Sequence, residues 1–218
     1  MNDSVKPCLP EFIQGTAGKL EYDFISVPDS HGDRNLIAVV CHPHPLHGGT
    51  KDNKVVHTLC RALRDSGVPS IRFNFRGVGK SEGQFDQGKG EYEDLISVVK
   101  FLRASVSDKK PLLIAGFSFG AFIASRFAIS NKVSACIMVA PPVSYPEFKE
   151  MKTYLCPLLV VQGDEDEIVD YGDVKSWVEA LVRNPDFEVV EGAGHFFHGR
   201  LPELKTIVQS FVTRITGE

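Results

Sequence analysis

The pentapeptide Gly116-Phe117-Ser118-Phe119-Gly120 joins an apolar, strand-like run at residues 111–115 to a helix-like run at residues 121–128. A strand-to-helix reversal in so few residues strains the middle residue, so the positions two before and two after it must lack a Cβ. Glycine occupies both. Such a turn lifts the serine Oγ above the sheet edge and leaves the next N–H, that of Phe119, pointing at whatever the serine attacks. Ser118 is therefore a candidate nucleophile, although a five-residue match of common residue types is not specific by itself.

Strand-like apolar runs and helical patterns alternate along the whole chain. The sequence predicts one helix that Asp52 caps and Gly67 ends, and an antiparallel edge strand at Glu21–Val27. Strands that are apolar on both faces and separated by helices are typical of an α/β fold, with a mostly parallel central sheet and helices on both faces. The predicted strands are Leu36–Cys41, Pro69–Phe75, Leu112–Gly116, Ala135–Ala140, Leu158–Gln162 and Phe187–Val190.

The size and charge of the chain restrict its class. A chain of 218 residues with 43% hydrophobic content predicts a single domain over residues 1–218. The net charge of −4 comes from scattered residues without a basic stripe, so we expect neither a nucleic acid nor a membrane as partner. Residues 1–10 lack an apolar leader and no run approaches the roughly 20 apolar residues of a membrane span. We therefore expect a cytoplasmic protein with a small-molecule substrate, and the sequence does not indicate an oligomeric state.

The five cysteines support the same compartment. They are odd in number, widely spaced and mostly embedded in apolar runs, which predicts reduced core thiols and neither disulfides nor zinc ligands. They are Cys8, Cys41, Cys60, Cys136 and Cys156.

A nucleophilic serine needs a base and a carboxylate on loops at the same edge of the sheet. The strand Leu158–Gln162 runs into an acidic loop at residues 163–170, and the strand Phe187–Val190 runs into a glycine-rich loop that ends at His195. The carboxyl ends of parallel strands meet at one edge, so these loops and Ser118 are expected to converge there. The order serine, acid, histidine is also the one expected when the serine lies on such a strand-to-helix turn.

The chain resembles the α/β-hydrolase superfamily, and in particular its small lidless bacterial serine hydrolases. The resemblance rests on His-Pro-His-Pro at residues 42–45, Asn-Phe-Arg-Gly at 74–77 and the pentapeptide at 116–120, and it covers nearly the whole chain. The family pattern Gly-x-x-Asp-x-x-Val selects Asp166 from the acidic loop, and leaves its other acids as solvated side chains. The family ending Gly-x-Gly-His selects His195 as the base over His198.

The oxyanion hole requires a second N–H besides that of Phe119. The loop after the first parallel strand contains Pro43 and Pro45, which have no N–H, so His44 and Leu46 remain as donors. The family pattern implies the backbone of His44. No metal or organic cofactor is expected for this chemistry.

The resemblance also implies an open site. Only about 16 residues lie between the strand ending at Ala140 and the one beginning near Pro157, enough for a short helix at Pro146–Tyr154 and too few for a lid domain. We expect small or soluble acyl substrates, with an apolar pocket lined by Phe117, Pro142, Tyr145 and Phe196. The expected activity is that of a carboxylesterase with an acyl-enzyme, while thioesterase and peptidase activities are compatible with the same residues.

Three alternative functions belong to other classes of protein. His42, His44 and His47 have the spacing of a metallohydrolase motif, but Leu46 replaces its aspartate and prolines separate the histidines, so we expect His42 to hydrogen-bond backbone. A non-catalytic binding module is disfavoured because no triad position is lost. A P-loop at residues 77–81 fails because Asn74 stands where its first glycine belongs.

Overall fold

The computed structural model describes residues 9–106 and 109–217. Within these residues, eight strands form one sheet in the order β1-β2-β4-β3-β5-β6-β7-β8, and six α-helices connect and cover them. The strands are β1 Phe12–Gly15, β2 Gly18–Ile25, β3 Ile37–Cys41, β4 Ser70–Phe73, β5 Leu112–Phe117, β6 Ala135–Val139, β7 Leu158–Gly163 and β8 Asp186–Val190. The helices are α1 Lys54–Asp65, α2 Lys89–Ser105, α3 Phe119–Ser130, α4 Pro146–Lys149, α5 Tyr171–Glu179 and α6 Leu201–Thr216.

Strands β3 to β8 are mutually parallel, while β2 pairs antiparallel with β4 and β1 pairs antiparallel with β2. The register brings the carboxyl ends of β3 and β5, and those of β7 and β8, to the same level of the sheet. Cys41 at the end of β3 pairs with Gly116 in β5, and Gly163 at the end of β7 pairs with Val190 in β8. The predicted α/β-hydrolase fold is confirmed, and the loops after β3, β5, β7 and β8 all leave from one edge of the sheet.

Alternating strand residues supply two separate cores. Val39 and Ile114 point into a cluster with α2, α3 and α5, whereas Val40, Ala115 and Phe117 point into a cluster with α1 and α6. This is the period-2 alternation of a sheet covered on both faces, and it explains the continuous apolar runs of the sequence.

Several predicted boundaries need correction. The edge strand at Glu21–Val27 is β2 at Gly18–Ile25, and it forms a hairpin with β1 that the sequence reading missed, because β1 has only one fully buried residue, Ile13. The cap of α1 is Asn53, whose Oδ1 accepts the N–H of Val55 at 2.8 Å, whereas Asp52 pairs with Arg72 at 3.2 Å.

The segment between β6 and β7 contains no lid domain. Its only helix among the described residues is α4, at Pro146–Lys149, shorter than the predicted helix to Tyr154. The described cysteines are free thiols, with Cys41, Cys60 and Cys136 buried and Cys156 half-buried, while Cys8 lies outside the described residues. No helix within residues 9–106 and 109–217 is long and apolar enough to cross a membrane.

Candidate active site

Ser118 occupies a strained turn between β5 and α3. Its φ of 54° and ψ of −122° lie in a region that residues with a Cβ rarely adopt. A Cβ on Gly116 would collide with the backbone of Gly120, and a Cβ on Gly120 would collide with the carbonyl of Cys41. The turn is held from below because the Ser118 N–H donates to the carbonyl of Val139 at 2.9 Å. The two glycines are therefore required by close backbone approach, and the serine side chain is left partly exposed at the sheet edge.

The structure brings Ser118, His195 and Asp166 into one hydrogen-bonded chain. Nε2 of His195 lies 3.1 Å from Ser118 Oγ, and Nδ1 lies 2.9 Å from Asp166 Oδ2. The His195 side chain is 3% exposed and the Asp166 side chain is fully buried. Because Nδ1 keeps its proton and donates it in a hydrogen bond to the carboxylate, the lone pair of Nε2 is directed at the serine hydroxyl.

Asp166 is stabilised in its ionised form. Burial raises the pKa of a carboxyl group, but the hydrogen bond from His195 and those from the N–H groups of Val169 and Ile168 outweigh it, so the pKa of Asp166 lies below its ordinary value. The two N–H groups lie 2.8 and 2.9 Å from Oδ1, and Gln162 Nε2 lies 3.0 Å from Oδ2. The carboxylate thus has its oxygens fixed before any substrate arrives.

The acidic loop also fixes the backbone of the histidine loop. Glu167 Oε2 accepts the N–H of His195 at 3.0 Å, and Asp164 Oδ1 accepts the N–H of Gly192 at 2.7 Å. The prediction that both acids are only solvated side chains is wrong, because their exposed carboxylates accept backbone N–H groups of the histidine loop. The backbone hydrogen bond from His195 also lowers the pKa of Glu167. His198, the alternative base, is exposed and contacts the ring of Phe196.

The loop after β3 uses His42 as a structural residue, as predicted. Nδ1 of His42 donates to the carbonyl of Pro43 at 2.6 Å, and Nε2 accepts the N–H of Phe75 at 3.0 Å. Burial lowers the pKa of His42 to about 4, so the ring is neutral. Both nitrogens are engaged by backbone, and among the described residues no group of three or more His, Cys, Asp or Glu side chains is arranged to hold a metal ion.

The two candidate oxyanion donors of this loop differ in their hydrogen bonding. The N–H of Leu46 donates to Nδ1 of His44 at 3.2 Å. The N–H groups of His44 and Phe119 donate to no other residue in the part of the chain that the structure describes. His44 and Phe119 are neighbours, with ring centroids 5.1 Å apart.

A cleft of about 260 Å³ opens beside these two residues. Of the predicted pocket residues, Tyr145 lines it, but Phe117, Pro142 and Phe196 do not. Phe117 is corrected to a core residue: it is fully buried and its ring lies 5.0 Å from that of His195. Pro142 is buried as well, and Phe196 packs edge-on against His195. The lining residues are His44, Phe85, Gln87, Phe119, Phe122, Tyr145 and Glu147.

Arg76 anchors the loop that carries Phe85 and Gln87. Its guanidinium donates to Asp94 Oδ1 at 2.8 Å, its backbone N–H donates to Asp94 Oδ2 at 2.9 Å, and the Asp94 side chain is fully buried on α2. This confirms the prediction that Arg76 braces neighbouring loops. The sequence does not predict Phe85 as a lining residue, because its ring reaches the cleft through contacts with His44 and Phe119, which are distant in the chain.

The chain is similar to known alpha/beta hydrolases. Residues 38–213 match the family described as alpha/beta hydrolase domain. A structure from Coxiella burnetii described as an alpha-beta serine hydrolase homologue is 43% identical, with a TM-score of 0.89 over 94% of this chain and 98% of that one. A serine hydrolase without lid from Xanthomonas campestris is 37% identical, with a TM-score of 0.89 over 96% and 97%. An uncharacterised protein of Rickettsia prowazekii is 32% identical over 94% of this chain and 88% of its own.

Proposed function

This chain belongs to the alpha/beta hydrolase domain family, and on that basis we propose that it is a serine hydrolase that cleaves small carboxylic esters through an acyl-enzyme. The observation that carries the proposal is the continuous hydrogen-bonded chain from Ser118 Oγ through the His195 ring to Asp166. The strained turn that presents the serine and the ionised, buried partner of the histidine support it.

In the first step, Ser118 Oγ attacks the ester carbonyl carbon while Nε2 of His195 takes the hydroxyl proton. Asp166 accepts a hydrogen bond from Nδ1 and stabilises the imidazolium that forms. When the tetrahedral intermediate collapses, the bond from carbon to the leaving oxygen breaks and Nε2 returns its proton to that oxygen. An alcohol leaves and the acyl group stays on Ser118.

The developing oxyanion needs two donors in place before the reaction begins. We assign this role to the backbone N–H groups of Phe119 and His44, because the N–H of Leu46 is already used inside its own loop. Removal of one such donor costs roughly 3 to 4 kcal/mol of transition-state stabilisation in serine hydrolases.

The second half-reaction repeats the chemistry with water. Nε2 of His195 takes a proton from a water molecule, whose oxygen attacks the acyl carbon, and the same two N–H groups bind the oxyanion. Collapse breaks the bond from the acyl carbon to Ser118 Oγ, and the serine recovers its proton from the imidazolium. The products are an acid and an alcohol, and the enzyme returns to its starting protonation state.

The test compares Ser118→Ala with Ser144→Ala, an exposed serine outside the hydrogen-bonded chain. Turnover of a short-chain acetate ester and labelling by a fluorophosphonate are measured on both variants and on the wild type. We expect Ser118→Ala to lose labelling and nearly all turnover, and Ser144→Ala to retain both. Persistence of turnover and labelling in Ser118→Ala would end the proposal.

A further inference from the structure

The cleft beside the candidate oxyanion donors is walled by aromatic rings. Ring centroids lie 4.9 Å apart for His44 and Phe85, 5.1 Å for His44 and Phe119, 6.2 Å for Phe119 and Phe122, and 5.5 Å for Phe122 and Tyr145. These five rings account for all of the lining residues except Gln87 and Glu147, so none of the residues that the structure describes lines this cleft with an aliphatic side chain. A wall of ring faces and edges suits an aromatic guest, which can add its own edge-to-face contacts.

The position of the cleft relative to the reacting atoms indicates which half of an ester enters it. His44 and Phe119 line the cleft and are also the proposed donors to the carbonyl oxygen. The leaving oxygen must lie near Nε2 of His195, which returns a proton to it. None of the lining residues comes from the loops after β7 and β8 that carry Asp166 and His195. The cleft therefore lies on the acyl side of the scissile bond.

Size and charge restrict the acyl group further. The volume of about 260 Å³ is below the roughly 300 Å³ at which pockets for drug-sized ligands begin. One ring on a short linker fits such a volume better than a long chain. The lining residues Gln87 and Glu147 are exposed, and the Glu147 carboxylate would repel an acyl group that ends in a carboxylate.

We infer that the preferred substrates are esters of neutral arylalkanoic acids, with the ring bound among Phe85, Phe122 and Tyr145. The inference rests on the esterase activity proposed above and adds the acyl specificity of the same site. An aromatic guest in such a cleft is expected to be favoured about fivefold over a saturated ring of the same carbon count, which follows from the usual strength of aromatic pairs.

The test uses ethyl esters, because their alcohol carries no ring. We compare kcat/KM for ethyl 3-phenylpropanoate and ethyl 3-cyclohexylpropanoate, with acid release followed by titration. The wild type should prefer the phenyl ester about fivefold. Phe85→Leu keeps apolar volume but removes a ring, and should reduce the preference to nearly one. Phe101→Leu is the matched control, because Phe101 is a half-buried ring that packs on Tyr22, 5.3 Å away, and is not a lining residue.

A reversed ester tests the assignment to the acyl side. In 2-phenylethyl acetate the ring belongs to the alcohol, so Phe85→Leu should lower kcat/KM for this ester several-fold less than it lowers kcat/KM for ethyl 3-phenylpropanoate. A wild-type preference below twofold for ethyl 3-phenylpropanoate over ethyl 3-cyclohexylpropanoate would overturn the inference. An equal loss of kcat/KM for ethyl 3-phenylpropanoate and 2-phenylethyl acetate in Phe85→Leu would overturn it as well.

Failure of the inference is distinguishable from failure of the proposed function. Hydrolysis of ethyl acetate and fluorophosphonate labelling of Ser118 report the esterase chemistry alone. If both persist without an aryl preference, only the specificity is refuted. If neither occurs, the esterase proposal is refuted and the inference is refuted with it.

Discussion

Two regions of this molecule meet at Ser118, and they are built differently. The loops after β7 and β8 contribute Asp166 and His195 through directional hydrogen bonds, four of which converge on the Asp166 carboxylate. The cleft on the other side is assembled from ring contacts between His44, Phe85 and Phe119. Hydrogen bonds fix a single geometry, whereas ring contacts tolerate small displacements. The first region is suited to chemistry and the second to the choice of substrate.

Because the hydrogen-bonded region performs the chemistry, the largest loss of activity should come from replacing the Asp166 carboxylate. Asp166→Asn preserves shape but cannot hold the Nδ1 proton of His195 in the same way, so the ring is expected to adopt the wrong tautomer. We expect kcat for a short-chain acetate ester to fall about 10⁴-fold with little change in the folded structure. Steady-state kinetics with circular dichroism as a folding control would measure it.

The matched control is Glu165→Gln, an exposed acid of the same loop. It should retain activity within twofold. A loss of less than tenfold in Asp166→Asn would mean that the hydrogen-bonded chain does not carry the reaction as proposed.

The next prediction concerns His42, the buried histidine of the loop that carries His44. His42 is neutral when folded, with its pKa lowered to about 4 by burial against an ordinary value of 6.5. Between these values the unfolded chain binds more protons than the folded one, so stability falls as the pH is lowered from 6.5 to 4. The lost stability should be about 3 kcal/mol for this one group.

Urea unfolding of the wild type and of His42→Asn between pH 7.5 and pH 4 measures the contribution of His42 to the pH dependence of stability. The variant should be less stable at pH 7.5, but its loss of stability on acidification should be smaller by about the same 3 kcal/mol. Equal pH dependence in the two proteins would show that His42 is not held neutral by the fold.

The third prediction concerns the loop that carries His44. A Cβ on Gly49 would collide with the carbonyls of Pro43 and His44, whereas Gly48 has open space and a φ of +76°, which asparagine tolerates. Gly49→Ala should displace the His44 N–H and lower kcat roughly 100-fold, as loss of an oxyanion donor does. Gly48→Asn should leave kcat within threefold. Similar losses in the two variants would contradict the assignment to His44.

The sequence predicted the two regions unequally, for physical reasons. The strand ends, the glycine pair around Ser118 and the loops of Asp166 and His195 are local patterns, and the structure brings these three side chains together. The cleft is formed by the connections after β3, β4 and β6 together with the first turn of α3. The ring of Phe85 lines it through contacts with His44 and Phe119, and Phe117 is absent from it because alternate residues of β5 face opposite cores. Neither cause is visible in a local pattern.

The smallest loss of activity should come from replacing Glu167, which accepts a hydrogen bond from the His195 backbone and contacts no reacting atom. Its carboxylate accepts the N–H of His195 at 3.0 Å from an exposed position, so water competes for this bond. Glu167→Ala should lower kcat about threefold with KM unchanged, since it loosens the base without touching the cleft. Glu167→Gln retains an acceptor oxygen and should recover most of the loss. Glu191→Gln, an exposed acid at the start of the same histidine loop, serves as the control. A rise in KM at constant kcat would instead place Glu167 in the substrate-binding region, and the division between the two regions would then have to be redrawn.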